Sequence, residues 1–337
     1  MHMADALLSP VVGGGFWVVS GALIGYSAKK ITEERDNSKT ALMGVLGAFV
    51  FAAQMINFTL PGTGSSGHLG GGLLLAVLLG PYRAFITLAS VLIIQCLFFA
   101  DGGLLALGCN VFNLAFFPSF IAFPFLYRVI AGNAPTPGKL AVGSLTAATA
   151  ALLMGALSVV LETLFSGITE LPFGTFVLFM LPVHLAIGIV EGLVTWGVLA
   201  FVARTEPGLL VPAKAAVHPR FTFALFAILA LFVGGVGSWF ASSQPDGLEW
   251  SIAKVSGSKE FSPAGGAVHE ALEAFQQKVA FLPDYGFKSA PEFLANPESP
   301  VDAGSSLSGI VGSLSVLAAA GTVGLLLGRK QKGEKQR

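Results

Sequence analysis

Two histidines, one beside the chain start and one in a glycine-rich stretch, have the makings of a transition-metal site. The sequence opens Met1-His2. A free Met1 amine, the backbone nitrogen of His2 and the His2 imidazole can close two fused chelate rings on one ion. These three nitrogens lie nearly in a plane, and a fourth completes a square. Square-planar nitrogen donors suit Ni(II) or Cu(II) far better than Zn(II) or Mg(II). His68, in Pro61-Gly62-Thr63-Gly64-Ser65-Ser66-Gly67-His68-Leu69-Gly70-Gly71-Gly72, is the obvious fourth donor. The bland alternatives are a second residue in a disordered terminus and a chance histidine in a flexible linker. Protons compete for all these nitrogens, and an imidazole ordinarily titrates near ~6.5. Metal affinity is therefore expected to fall below neutral pH through the Met1 amine, His2 and His68.

The elements that must position these residues are membrane helices. The 337 residues are 54% hydrophobic and 11% charged, against about 25% charged in ordinary soluble domains. A spanning helix needs about 20 mainly apolar residues. Nine candidates occur, at roughly 11–28, 40–58, 68–82, 84–100, 103–128, 139–165, 173–203, 221–241 and 307–328. The expected fold is an all-α polytopic membrane protein. The third candidate is short and could be re-entrant on its own. Charge argues that it crosses: with an outside N-terminus and nine crossings, the inside holds every Lys and Arg except Lys254, Lys259, Lys278 and Lys288. Those four share one long outer loop, which the positive-inside rule discounts. The C-terminus is then cytoplasmic. No basic residue precedes Pro10, so a cleavable leader is not expected. The two cysteines, Cys96 and Cys109, sit in apolar runs and read as buried thiols.

Three parts follow: a seven-span unit at 1–205, a cytoplasmic linker at 206–220 rich in proline, and a two-span unit at 221–337 around an extracytoplasmic loop, 242–306. That loop carries nine acids against four lysines, a net −5. It is expected to enrich cations diffusely and to assist capture or assembly without holding the principal metal site, so that its deletion leaves equilibrium binding near normal. Val268–Val279 reads as a short amphipathic helix.

Other polar residues carry less. Asp101-Gly102-Gly103 reads as a tight outer turn, with Asp101 a cap or a support to the metal. Asn110 and Asn113 read as links between helices, and Asn57 as an orienter of a ligand imidazole. His184 and Glu191, seven apart, share a helix face as a proton relay or a structural pair, and Glu162 is similar. His218 and His269 read as ordinary loop residues. No G-x-x-x-x-G-K-[ST] loop is present, so ATP binding belongs to another chain. Nothing suggests nucleic acid or an enzyme nucleophile.

Several ordered motifs carry a family resemblance. Met1 to Pro10 (Met-His-Met-Ala-Asp-Ala-Leu-Leu-Ser-Pro), Gly67-His68-Leu69, Leu79-Gly80-Pro81, Ala100 to Gly108 and His184 to Gly192 resemble the CbiM/NikM family, the substrate-binding membrane subunits of energy-coupling-factor cobalt and nickel importers. The match runs over about 1–205. The remainder resembles the small CbiN/NikN component, and Pro245-Asp246-Gly247-Leu248-Glu249 matches its PDGLE signature. The resemblance implies a substrate-capture component for Co(II) or Ni(II) as transported substrate, with Met1, His2 and His68 as metal ligands. It implies a CbiQ/NikQ-type membrane coupling subunit and a CbiO/NikO-type ATPase as partners. It places the chain in a bacterial inner membrane, feeding cobalamin or nickel-enzyme synthesis. Readings from other classes are a proton-coupled secondary transporter using Glu191 and a metal-dependent intramembrane enzyme.

Overall fold

The computed structural model describes residues 1–34, 39–133, 135–210, 219–257, 266–288 and 302–334. Its helical share is 80%, as apolar segments in lipid require: only a helix satisfies its own backbone without water. The helices are α1 (Pro10–Glu33), α2 (Met43–Gln54), α3 (Gly72–Leu79), α4 (Pro81–Phe99), α5 (Leu107–Ala131), α6 (Pro137–Ser166), α7 (Phe173–Thr205), α8 (Pro219–Gly235), α9 (Gly247–Ser256), α10 (Ala267–Val279) and α11 (Ala303–Glu334). Six of them, α1, α4, α5, α6, α7 and α11, are long and apolar enough to cross a membrane. The chain is a multi-pass membrane protein.

The remaining apolar segments are shorter than expected. α2 and α8 have 12 and 17 helical residues. The candidate at 68–82 holds the eight residues of α3, which rise only about 12 Å at 1.5 Å each. Gly71 starts α3 at φ +73°, and Gly80 at φ +86° separates it from α4. Among the described residues the one sheet is a hairpin of β1 (Phe58–Leu60) and β2 (Ser65–Gly67), paired Phe58↔Gly67.

Prolines mark the starts of α1, α4 and α6, where a missing N–H costs nothing. In α5 the stretch Phe112–Tyr127 winds in the wider π form and carries Pro118 and Pro124. It sits close to α3: a Cβ added at Gly72 would overlap the Pro118 ring. α6 and α7 approach through small residues, Gly188 against Thr149 and Gly192 against Leu145, the usual basis of helix association in lipid.

The C-terminal helices do not stand apart. α2 is buried along almost its whole length, with Gly44 and Gly47 against Leu317 and Val316 of α11, Gly312 against Phe51, and Phe226 of α8 edge-on to Phe49. The amphipathic stretch expected in the outer loop is α10, with His269 and Gln276 on its buried side. Cys96 and Cys109 are free and buried.

Candidate functional site

The first nine residues thread into the protein. Met1, Met3, Leu7 and Leu8 are each at most 4% exposed, so the chain start is core and not a loose end. Asn110 on α5 clamps Met3 from both sides, accepting its N–H at 2.8 Å and donating to its carbonyl at 3.2 Å. Gly103 also donates to the Met3 carbonyl, at 2.9 Å. Asp5 accepts from Ala106 N–H at 2.9 Å. The turn after α4 must hold glycine here. Gly102 has φ +79°, and a Cβ at Gly103 would overlap the Asp5 carboxylate. Ser9 then caps α1.

This threading brings the proposed ligands together. The Met1 amine lies 3.2 Å from Nε2 of His68. The His2 and His68 rings are parallel within 4°, with centroids 5.1 Å apart. His68 gives its Nδ1–H to the Leu69 carbonyl at 3.1 Å. That bond fixes the tautomer with the Nε2 lone pair facing the amine, the form a metal ligand needs. Among the described residues, no three His, Cys, Asp or Glu side chains form a metal-type cluster. The convergence is of a backbone amine and imidazoles.

Two carboxylates complete the setting. Asp101 Oδ1 accepts from His2 Nδ1 at 3.0 Å. Asp246 Oδ2 accepts from the Met1 amine at 2.9 Å. Desolvation alone would raise both acids, but their polar neighbours outweigh it. Interaction with the His2 imidazole, with hydrogen bonds from His2 and Tyr285, holds Asp101 well below the usual carboxylate range. The Met1 ammonium beside it does the same for Asp246. Desolvation, reinforced by the amine and His2, pushes the His68 imidazole down to about 3. Burial thus disfavours the protonated form of His68 in the metal-free fold.

Support comes from below. Glu191 on α7 accepts from Gly70 N–H at 2.9 Å and Gly71 N–H at 3.0 Å. Gln54 donates to the Gly70 carbonyl at 2.8 Å, and Gln95 donates to Gln54 at 2.9 Å. Glu191 thus pins the strand of chain that carries His68. His184 donates Nδ1–H to Met180 at 2.8 Å and leaves Nε2 buried, with no partner among the described residues. The two residues therefore have separate partners. Glu162 accepts from Asn113 at 2.8 Å, and Asn113 sits against the Met3 sulfur.

Several expectations change. Asn57 meets Ser242 through its backbone carbonyl; the acceptors that orient the imidazoles are Asp101 and Leu69. His269 is buried, with Nε2 2.9 Å from the Leu8 carbonyl. The outer loop is not diffuse. Its Gln244 to Asp246 segment lies along β2, with Ser66 N–H donating to Pro245 and Ser66 Oγ to Gln244. Asp246 then caps α9, with Glu249 returning the bond to the Asp246 N–H. Sequence reasoning missed Asp246 and Tyr285 as contacts of the site. The PDGLE motif was visible, but its partner lies 245 residues away. His218 and loop segments 258–265 and 289–301 lie outside the described residues. A cavity of about 560 Å³ opens beside the site, lined among others by His2, Asp101, Asp246, Glu249 and Tyr285.

Comparison with known proteins identifies the two parts of the chain. Residues 2–209 match the family model for CbiM, the cobalt uptake substrate-specific transmembrane region. Residues 220–329 match the PDGLE domain. The chain is 35% identical over 244 residues to a putative fused nickel transport protein, NikMN, of Archaeoglobus fulgidus, covering 66% of this chain and 77% of that one. It is 29% identical over 346 residues to the fused nickel transport protein NikMN of Rhodobacter capsulatus, covering 95% and 96%. A crystal structure of a truncated transition metal transporter superposes with TM-score 0.53 at 31% identity, over 61% of this chain and 99% of that one. The chain belongs to the CbiM family of cobalt uptake substrate-specific transmembrane regions, continued in the same polypeptide by a PDGLE domain.

Proposed function

We propose that this chain is the substrate-binding component of an energy-coupling-factor importer for Ni(II) or Co(II). It captures the ion at the extracytoplasmic face. The ligands are the Met1 amine, the His2 backbone nitrogen and imidazole, and Nε2 of His68. The observation that carries this reading is the 3.2 Å approach of the Met1 amine to a His68 nitrogen whose tautomer is already fixed for coordination. Named relatives point the same way: they are nickel transport proteins and cobalt transport proteins.

Binding replaces protons with metal. The amine must lose the proton it now shares with His68 and Asp246, and the His2 amide must ionise, so loading releases protons. The six-membered chelate ring closes only through His2 Nδ1. That atom now faces Asp101, while Nε2 is buried without a partner among the described residues. Loading therefore turns the imidazole over, and Asp101 then accepts from Nε2–H. Residues 1–205 form a seven-span capture unit, joined through 206–220 to the two-span unit at 221–337, whose outer loop leans on the site. All nine apolar segments cross, the third with α3 (about 12 Å) continued toward the outer face by the non-helical chain that precedes Gly72; the N-terminus is then outside and the C-terminus in the cytoplasm. A CbiQ/NikQ-type coupling subunit and a CbiO/NikO-type ATPase supply the energy, since this chain carries no phosphate-binding loop.

Purified protein with a free Met1 amine, loaded with Ni(II), tests this. One equivalent of nickel with a square-planar absorption band supports the reading. Substoichiometric binding, or an octahedral spectrum unchanged by His68→Ala, contradicts it.

A further inference from the structure

The outer loop reaches the site at a second point, independent of Asp246. Tyr285 donates its hydroxyl to Asp101 Oδ2 at 2.5 Å, while Asp101 Oδ1 takes His2 Nδ1 at 3.0 Å. Both carboxylate oxygens are thus engaged, one by each side of the chain, and the carboxylate cannot rotate without breaking a bond. We propose that Tyr285 is a positioning residue of the metal site: its hydroxyl locks Asp101, and Asp101 in turn sets the His2 imidazole. The inference rests on the reading of His2 as a ligand given above.

Three observations support a built device. First, Tyr285 is held from several directions. Its ring stacks on Phe99 at 4.8 Å and 16°, its carbonyl accepts from Ser308 on α11 at 2.8 Å, and Leu282 N–H donates to Phe98 at 3.2 Å. Second, left-handed backbone is concentrated here. Asp284 (φ 50°), Tyr285 (φ 59°) and Ala100 (φ 55°) are the non-glycine residues with positive φ among those described, and all three flank the Tyr285–Asp101 bond. Conformations that L-residues avoid persist where the surrounding structure enforces them, and they gather at functional sites. Third, the acceptor turn is itself tied down, with Asp101 N–H donating to Gln95 at 3.1 Å. Burial raises the Tyr285 phenol far above its ordinary range, so it stays a donor.

The consequence is that the PDGLE unit sets ligand geometry as well as covering the site. Partners that orient a ligating histidine are typically worth about 10–100-fold in metal affinity. The test uses the full chain with a free Met1 amine and compares wild type, Tyr285→Phe, Asp101→Asn and the double variant. Phenylalanine keeps the stack on Phe99 and removes only the hydroxyl. Two readouts are taken: the Ni(II) dissociation constant, and the 15N shifts of His2 without metal, which report the tautomer. In the metal-free protein Tyr285→Phe is expected to move the His2 nitrogens from a single Nδ1–H tautomer toward a mixture. In the loaded protein, where Asp101 must accept from Nε2–H of the turned-over ring, an unheld Asp101 orients that ring less well, and the net loss of Ni(II) affinity is expected to be about tenfold. The double variant is expected to be no worse than Asp101→Asn alone. Unchanged His2 shifts in Tyr285→Phe, or fully additive losses in the double variant, overturn the proposal. If wild type binds no nickel, the ligand assignment fails, while the metal-free 15N shifts still decide whether Tyr285 acts on His2.

Discussion

At the scale of single residues, the site depends on how each imidazole is held. His68 is poised by the Leu69 carbonyl, and removing it takes away the proposed fourth nitrogen. His68→Ala is expected to weaken Ni(II) binding by at least ~100-fold, beyond the range for loss of an orienting partner. His269→Ala, which loses a bond to Leu8 remote from the amine, should stay within a few-fold. Equal losses, read by calorimetric titration, contradict the assignment. His68 also predicts a pH effect on the metal-free fold. Its folded value near 3 lies below the unfolded value of about 6.5. Between these, the unfolded state binds a proton that the folded state refuses. Its contribution is therefore complete above about pH 6.5 and drains away as pH falls toward 3. Asp101 and Asp246, held low, stay ionised over pH 4–6.5. Melting temperature in detergent should fall across this window in wild type, with a shallower fall in His68→Ala. Parallel slopes in the two proteins would show that His68 is not held neutral. Met1, His2 and His68 were legible because an amine, an adjacent histidine and a glycine-bound histidine make a recognisable donor set. Tyr285 was not, because a tyrosine in a loop carries no spacing signal until the fold brings it to Asp101.

At the scale of elements, α7 and the Gly70–Gly71 turn form the support. Glu191→Ala leaves two buried N–H groups without an acceptor, at about 1–3 kcal/mol each. The variant is expected to lose about 2–4 kcal/mol of stability and to bind Ni(II) more weakly, because the segment after His68 is no longer pinned. Glu191→Gln keeps one carbonyl acceptor and should fall between. An Ala variant as stable as wild type in a denaturation series would remove Glu191 from this role. The long helices were legible from uninterrupted apolar runs, and the amphipathic α10 from its pattern. α3 was legible only as an apolar run: nothing local says that Gly80 breaks it from α4 after eight residues. The β-hairpin was hidden for a related reason, since its strands are three residues each and its third neighbour comes from Pro245-Asp246.

At the scale of the whole molecule, two units share one site. The CbiM unit supplies the Met1, His2 and His68 nitrogens, and the PDGLE unit supplies Asp246, Tyr285 and the helices that bury α2. Distance in sequence concealed this, for Met1 and Asp246 meet across 245 positions. Asp246→Ala strands the ammonium of Met1, a residue whose side chain is 3% exposed, without its counter-ion. Breaking a fully buried pair costs about 3–5 kcal/mol. With Asp246 itself 18% exposed, about 2 kcal/mol is expected, measured as lost thermal stability of the metal-free protein. No loss would mean that the pair does not hold the N-terminus in place. The central claim is that a buried Met1 amine is itself a ligand. The most direct test compares nickel stoichiometry in protein with a free Met1 amine and in protein carrying one alanine ahead of Met1. One nickel per chain is expected in the first and almost none in the second, because the added peptide bond removes the Met1 amine as a donor. Full stoichiometric binding by the extended protein, with the same spectrum, would contradict it.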